Sequence, residues 1–560
     1  MRLRIIYLSF ISLFIFLVGC LFYLQIIKGP IYREMSYRNS IRLLNVPATR
    51  GIIYDRLGRV LAEDSLSFGV FIIPQEAADI DGVILKISKL LDVKESLLKR
   101  NYKRNYIAPF APCEIIKGIS KKDAIIIEEL KLDMKGVLVK EIPLRNYPFK
   151  EAFSHVVGYV GEIDKEELEI FGEYGYAAKD LLGKNGVEKI ANHVLRGKSG
   201  GMQVQVDNKG HQVEVLSHKK ARKGKDVTLT LDSSLQSFIW DLMKDEKGAA
   251  IVMDPNNGEV LALVSVPSYD PNESLGNILR DVDAPLINRA IMGQYSPGSL
   301  FKLVIALAGL ESGVINFETT FECHGKIDMG GSLFHCWNRD GHGPMNIKNA
   351  ITQSCNVYFY NLGLRLGLEK ILEYAVQFGF GKETGIELSG EEKGFLPTRP
   401  WKRTAYGMRW FAGDTLNLSI GQGYLLITPM QLARFISSIA NGGELVQPHV
   451  IKSGDLNMPS KLRIRKENID IVKKGMRGVV EGEHGTGHQA WSEKISIAGK
   501  TGTSQTGDGT RTHAWFGGFA PIDNPEISFV VFLEHGGSGG DLPAFIVRQV
   551  VEYWSKSIKK

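Results

Sequence analysis

The sequence predicts an α+β protein, and three observations carry that expectation. Two adjacent apolar strands around Pro255-Asn256-Asn257-Gly258 read as a hairpin in "GAAIVMDPNNGEVLALVSVP" (248–267). An apolar helix over 297–312 is followed by further helices to about residue 440. Strand patterns then return at 495–506, 513–520 and 526–535, before a last amphipathic helix from about Ala544 to Ser557. Strands at both ends with helices between imply a sheet assembled from distant segments.

At 560 residues the chain is too long for one core, so two or more domains are expected. With 44% hydrophobic and 23% charged residues it is globular, which excludes both a disordered chain and a multi-span membrane protein. The net charge of +6 is modest, and no dense Lys/Arg block is interleaved with aromatics, so nucleic acid is not an expected partner.

The N-terminus carries the membrane signal. After Arg2 and Arg4, Ile5 to Ile27 is an uncharged, mostly apolar run long enough to cross a bilayer once as a helix. The two arginines place residues 1–4 as a cytoplasmic tip, although Lys28 and Arg33 on the far side weaken the asymmetry. Leu17-Val18-Gly19-Cys20 resembles a lipoprotein cleavage box, but the apolar run continues through Leu21, Phe22 and Ile26. An uncleaved signal-anchor is therefore expected over cleavage or lipidation, with Cys20 facing lipid and everything after residue 30 outside the cytoplasm.

Residues 36–66 read as strand, turn, strand, with Asp55-Arg56-Leu57-Gly58 at the turn. Residues 75–175 are charged and mixed, with helical stretches such as 120–131, and look like a lobe rather than a catalytic core. The segment 183–215 reads as a helix followed by a hairpin turning at Asn208-Lys209-Gly210. The basic stretch "HKKARKGK" (218–225) closes a first domain over 36–225, leaving 226–560 as the second.

Lys302 is the informative anomaly. The helix "SLFKLVIALAGL" is apolar on all sides, and a lysine is rarely buried there unless something nearby needs it. Ser299 lies three residues earlier on the same face, after Pro297-Gly298, at a helix N-terminus whose free N–H groups favour negative charge. Desolvation and that dipole lower the amine's pKa, so a neutral Lys302 can take the Ser299 proton. The bland reading is a helix-capping serine and a lysine whose head reaches water. Two further elements shift the balance: Ser354-Cys355-Asn356 in the helix-like "AITQSCNVYFYNLG", and Lys500-Thr501-Gly502-Thr503 in the strand "ISIAGKTGTSQTG". Ser-x-x-Lys, Ser-x-Asn and Lys-Thr-Gly in this order are the signature of penicillin-recognising serine enzymes.

Cys323, Cys336, His342 and Cys355 follow the pattern Cys-x12-Cys-x5-His-x12-Cys, three thiolates and an imidazole that make a tetrahedral zinc set. The competing readings are a disulfide and, for His342, a hydrogen-bonded loop residue. Three clustered cysteines pair badly as disulfides, which favours one structural zinc beside Ser354 and Asn356. Cys113 reads as an isolated buried thiol.

The chain resembles the class B penicillin-binding proteins, and among them the rod-elongation branch, penicillin-binding proteins 2. Beyond the three motifs, the resemblance rests on the anchor, on "RGIIYDRLGRVLA", on "GKNGVEKIANHVLRG" and on "TLNLSIGQGYLLITPMQLA" (415–433). It implies an antiparallel sheet flanked by helices in a transpeptidase domain, set on an elongated α+β pedestal of the dimerisation type. It also implies roles at the matching positions. Ser299 attacks the penultimate D-Ala carbonyl of a peptidoglycan stem peptide and Lys302 is the general base. Ser354, helped by Lys500, relays a proton to the leaving amine, while Asn356 positions Lys302 and the substrate amide. Thr501 and Thr503 bind the terminal carboxylate across Gly502, and the N–H groups of Ser299 and Thr503 form the oxyanion hole. β-Lactams acylate such a site. Some elongation-type members with Asp at one or two of the Cys positions bind zinc. The implied partners are a SEDS-family glycosyltransferase, because the residues before the transpeptidase resemble the class B pedestal rather than a polymerising domain, and other membrane proteins of the elongation complex. The implied location is the cytoplasmic membrane, single-pass, with the catalytic domain periplasmic.

Three rival readings fit the sequence less well. A β-lactamase shares the acylation but needs neither anchor nor pedestal. A non-catalytic β-lactam sensor does not need Ser299, Lys302, Ser354, Asn356 and Lys500 intact. A septal transpeptidase fits less well, because the Cys/His cluster and "FLEHGGSGG" (532–540) resemble the elongation type.

Overall fold

The computed structural model describes every residue except 1, 47, 177, 179, 207–211, 274, 275, 277, 453–457, 507–510 and 559–560, and among these lies the Asn208-Lys209-Gly210 turn. The apolar stretch Leu3–Ile27 forms a helix that is long and apolar enough to cross a membrane, and none of its hydropathic window is buried. Cys20 is an exposed thiol on it.

The chain divides into two compact units, each drawn from several stretches of it. The first comprises residues 1–51, 64–144 and 196–225; the second comprises 52–63, 145–195 and 226–560. In the first, Ile41–Val46, Gly200–Val206 and Gln212–Lys219 form a three-stranded antiparallel sheet, so the hairpin expected around residue 208 has its two arms. A second layer pairs Phe68–Ile72 with Cys113–Ile119 and packs Val70, Ile72 and Ile115 against Ile84, Ile87, Leu98 and Ile127 of three helices. The helix Ile80–Leu91 starts where Asp79 accepts from the Gly82 N–H and stops at Asp92 in the left-handed region (φ 52°). Cys113 is buried, as read, with its thiol donating to Tyr102 O at 3.3 Å.

The second unit is built on a five-stranded antiparallel sheet. Its strands are β1 (Gly248–Met253), β2 (Val260–Val266), β3 (Ala498–Gln505), β4 (Thr512–Ala520) and β5 (Ile527–Leu533), in the order β2-β1-β5-β4-β3. β1, β2 and β5 read as nearly continuous apolar runs because both faces are covered. Along β5, Phe529 and Val531 enter one core while Val530 and Phe532 enter the other. One face carries α1 (Ser233–Met243), begun by the Asp232 carboxylate accepting from the Ser234 and Leu235 N–H groups, and α7 (Leu542–Ile558). The other face carries α2 (Lys302–Glu311), α3 (Ile347–Thr352), α4 (Asn356–Gln377), α5 (Pro429–Ala440) and α6 (Lys466–Glu481). A capping box between Thr428 and Gln431, with Pro429 at the first turn, fixes the entry of α5. Each fully buried large apolar side chain in these layers contributes roughly 1.5–3 kcal/mol. β3 is an edge strand of this sheet and lies beside the turn that precedes α2.

Two local expectations need correction. The α-helix expected over 297–312 begins at Lys302, because Gly298–Leu300 is a tighter 3₁₀ turn. The Ser-Cys-Asn segment is not helical throughout: it is the junction between α3 and α4, and Ser354 has φ 54°.

Candidate active site

Ser299 sits in the 3₁₀ turn, half-buried, and opens onto a cleft of about 1050 Å³. In a 3₁₀ turn residues i and i+3 eclipse, so Ser299 and Lys302 stay on one side although the α-helix starts later than expected. The turn approaches β3 closely. A Cβ on Gly298 (φ 55°) would lie 2.7 Å from Thr503 O, and one on Gly502 would lie 2.9 Å from Pro297 O. Only glycine at both positions lets the Ser299 and Thr503 peptides stand side by side.

Ser354 ends α3 in a left-handed turn. The Cys355 N–H reaches back to Ala350 O at 3.0 Å and the Ser354 N–H to Ile351 O at 3.3 Å. This turn aims the Ser354 hydroxyl at two amines: Lys302 Nζ at 3.2 Å and Lys500 Nζ at 2.9 Å. Lys302 also donates to Ser354 O at 2.8 Å and Asn356 Oδ1 at 2.7 Å; Lys500 also donates to Thr501 O at 3.1 Å. Among the described residues Ser299 Oγ has no hydrogen-bond partner, and the Lys302 amine is engaged by Ser354 and Asn356 instead. Asn356 Nδ2 donates to His335 O at 3.2 Å, which fixes its amide oxygen toward Lys302.

Both lysines are fully buried. Burial lowers Lys302 to about 8, and it holds Lys500 well below the usual ammonium range, with the Lys302 charge adding to the effect. Two ammonium groups on one hydroxyl repel, so burial and this repulsion favour a single protonated amine there. The single Ser354 proton can then be donated to whichever amine is neutral. This is a proton-relay geometry.

The cleft also contains residues that the motifs did not announce. Thr501 Oγ1 lies 2.7 Å from Thr486 Oγ1, on the loop after α6. Gln422 Nε2 donates to Thr503 O at 3.3 Å, and the Gly539 N–H lies 3.4 Å from Thr503 Oγ1. Glu483, His484 and His488 line the same cleft. The run Gly485-Thr486-Gly487-His488, polar residues between glycines, was the only sequence signal for that loop.

The four expected metal ligands come together. One donor atom from each of Cys323, Cys336, His342 and Cys355 lies within 4.8 Å of the others, and the cysteines are free thiols. His342 Nδ1 is 3.5 Å from both Cys323 Sγ and Cys336 Sγ. One lone pair cannot accept from two thiols. A tetrahedral ion with bonds of about 2.3 Å to sulfur and 2.0 Å to nitrogen has an S···N edge of about 3.5 Å. The residues fit such an ion. The Cys355 thiol, then His342 and the Val357 and Asn356 N–H groups, hold the Cys336 thiol well below its ordinary pKa against the effect of burial.

Two family profiles match the chain: "Penicillin-binding Protein dimerisation domain" over residues 45–229, and "Penicillin binding protein transpeptidase domain" over residues 248–552. The peptidoglycan D,D-transpeptidase MrdA of Salmonella typhimurium is 32% identical, across 96% of this chain and 93% of its own length. The chain belongs to the class B penicillin-binding proteins. The MrdA of Acinetobacter baumannii is 34% identical across 96% of this penicillin-binding protein and 85% of the relative. Among solved structures, the Helicobacter pylori penicillin-binding protein PBP2 in complex with MreC superposes with a TM-score of 0.82 at 30% identity, covering 92% of this chain and 99% of that one. Pseudomonas aeruginosa PBP2 in complex with WCK 5153 gives 0.70 at 31% identity, covering 92% and 96%. Its fold is therefore the α+β transpeptidase arrangement that the motifs implied.

Proposed function

We propose that this penicillin-binding protein is the peptidoglycan D,D-transpeptidase of lateral wall elongation, working through an acyl-enzyme on Ser299. The observation that carries the chemistry is the Ser354 hydroxyl held between Lys302 and Lys500, beside the Ser299 turn. The neutral amine of Lys302 removes the Ser299 proton as Oγ attacks the penultimate D-Ala carbonyl. Charge then develops on the carbonyl oxygen, where the N–H groups of Ser299 and Thr503 meet it, an interaction worth about 3 kcal/mol per donor. Ser354 passes a proton to the leaving D-Ala amine and is re-protonated through the lysine pair. Thr501 and Thr503, with Thr486 beside them, hold the terminal carboxylate. The amine of a second stem peptide attacks the ester, and the same relay runs in reverse. A β-lactam mimics the donor and stops at the ester. Incubation with benzylpenicillin and digestion is expected to place one penicilloyl adduct on the Ser299 peptide; an adduct on another residue would end this reading.

The elongation assignment over a septal one is supported by the MrdA and PBP2 relatives. The solved relatives include a complex with MreC and a peptidoglycan synthase complex, which support partners of the same kind here, a SEDS-family glycosyltransferase among them. The N-terminal helix anchors the chain in the cytoplasmic membrane with its catalytic unit outside, an orientation favoured by Arg2 and Arg4.

Zinc would be held by Cys323, Cys336, Cys355 and His342, closed by four protein ligands and therefore structural. It would fix the backbone that carries Ser354 and Asn356. Protein purified under reducing conditions is expected to hold one zinc per chain. Cys355→Ser should lose the metal and lower the melting temperature by at least ~5 °C. Metal analysis finding no stoichiometric zinc in the parent removes the assignment and leaves the serine chemistry standing.

A further inference from the structure

The segment after β5, "EHGGSG" (534–539), takes no direct part in the chemistry above, yet it touches both halves of the acylation site. At its start, the Glu534 carboxylate accepts from the Tyr295 phenol at 2.6 Å and from Arg289 Nε at 2.9 Å, and both of these ion-pair side chains are largely buried. Arg289 is itself fixed by Asp283 O at 2.8 Å and Ala284 O at 3.3 Å. Tyr295 lies four residues before Ser299, ahead of the 3₁₀ turn, with its backbone bridged to Ile427. Burial and the Glu534 contact hold its phenol well above its ordinary pKa, so it remains a proton donor. Its ring packs on Phe532, centroids 4.1 Å apart. At the segment's other end, Gly537 O accepts from Thr512 Oγ1 at 2.6 Å and the Gly539 N–H approaches Thr503 Oγ1. A Cβ on Gly539 would lie 2.4 Å from Gly502 O, so only glycine allows that contact. Between the two ends His535 is held at φ 56°, its N–H donating to His513 Nδ1 at 3.2 Å.

One six-residue stretch thus contacts Tyr295, just ahead of the Ser299 turn, and the Lys-Thr-Gly strand through Thr503. The two peptides whose N–H groups must converge on one oxygen have this stretch in common. We propose that Glu534 is a positioning residue for Ser299, acting through the Tyr295 hydroxyl to set the nucleophile turn against β3. The inference rests on the acyl-transfer reading given above. The carboxylate both accepts from the Tyr295 hydroxyl and offsets the buried Arg289 charge; an amide keeps the first role and loses the second. Small displacements between a nucleophile and its oxyanion donors cost rate rather than ground-state affinity.

The test uses the full-length chain in detergent and the kinetics of labelling by a fluorescent penicillin, which separate the first-order acylation constant from the Kd of the non-covalent complex. Tyr295→Phe removes the phenol oxygen and leaves the ring against Phe532. Glu534→Ala removes the acceptor, and Glu534→Gln keeps an oxygen for Tyr295. In Tyr295→Phe and Glu534→Ala the acylation constant is expected to fall by about 10- to 100-fold with Kd changed less than about twofold, and Glu534→Gln should recover part of the loss. Acylation constants within about twofold of the parent, even alongside a lower melting temperature, would show a merely structural contact and overturn the proposal. So would a Glu534→Gln variant as slow as Glu534→Ala. If Glu534→Ala does not fold, Tyr295→Phe decides alone. A parent that is not labelled at Ser299 sinks the acyl-transfer reading itself, a different result from unaffected variants of a labelled parent.

Discussion

Lys302→Met is expected to slow penicillin acylation of Ser299 by about 10³-fold, within the range of a lost general base. Methionine has a similar length and keeps the packing of the buried stem, losing the amine's hydrogen bonds to Ser354 and Asn356, so the variant should remain folded. The parent rate should follow the protonation of this amine. Burial brings Lys302 to about 8, and only the neutral form accepts a proton, so acylation should rise with pH up to about 8 and level off above it. Below that value each unit of pH should cost about tenfold. The variant should lose this dependence along with the rate. Stopped-flow acylation across pH 6 to 9 reads both effects. A variant within about tenfold of the parent would mean that another group takes the Ser299 proton.

The second large effect concerns Ser354, and it separates chemistry from stability. The residue holds a left-handed backbone (φ 54°) at the join of α3 and α4, where a Cβ is disfavoured and glycine is not. Ser354→Ala and Ser354→Gly both remove the hydroxyl shared by Lys302 and Lys500. Each should lower turnover of a stem-peptide substrate by about 10²–10³-fold. The two should differ in stability: glycine relieves the strain that alanine keeps, so Ser354→Gly should be the more stable by about 1 kcal/mol. Urea unfolding of the pair measures it. Alanine equal to or above glycine would mean that the backbone there is not strained.

Much of this site was legible from residues alone, and the reasons are local. A lysine inside an apolar helix, three residues from a serine behind Pro-Gly, has few explanations, and the structure buries it fully beside the other two motifs. The Cys/His spacing announced a cluster, and the four donors converge. The strand order was not readable, because β3, β4 and β5 lie over 200 residues away in sequence from β1 yet β5 pairs directly with it. Pairing across such a distance is set by two buried faces rather than by any turn. Ser354 was misread as helical because its left-handed backbone is imposed by the α3–α4 junction, in a place where sequence statistics expect glycine. Thr486 and Gln422 escaped notice because each acts through a single contact on Thr501 or Thr503 from a separate loop. Glu534 escaped for the opposite reason: its motif was visible, but its partners Tyr295 and Arg289 are remote in the chain.

The way the chain threads its two compact units has a practical outcome for anyone wishing to separate them. Residues 52–63 and 145–195 belong to the catalytic unit, although they precede Asp226. They supply Ile53, Val156, Val187 and Leu195 to its buried interior. A gene fragment starting at Asp226 would therefore leave an open wound on the enzyme rather than a clean edge. Swapping in a foreign pedestal by a single splice would do the same, so shuffling of these modules in evolution or in the laboratory requires several coordinated joins.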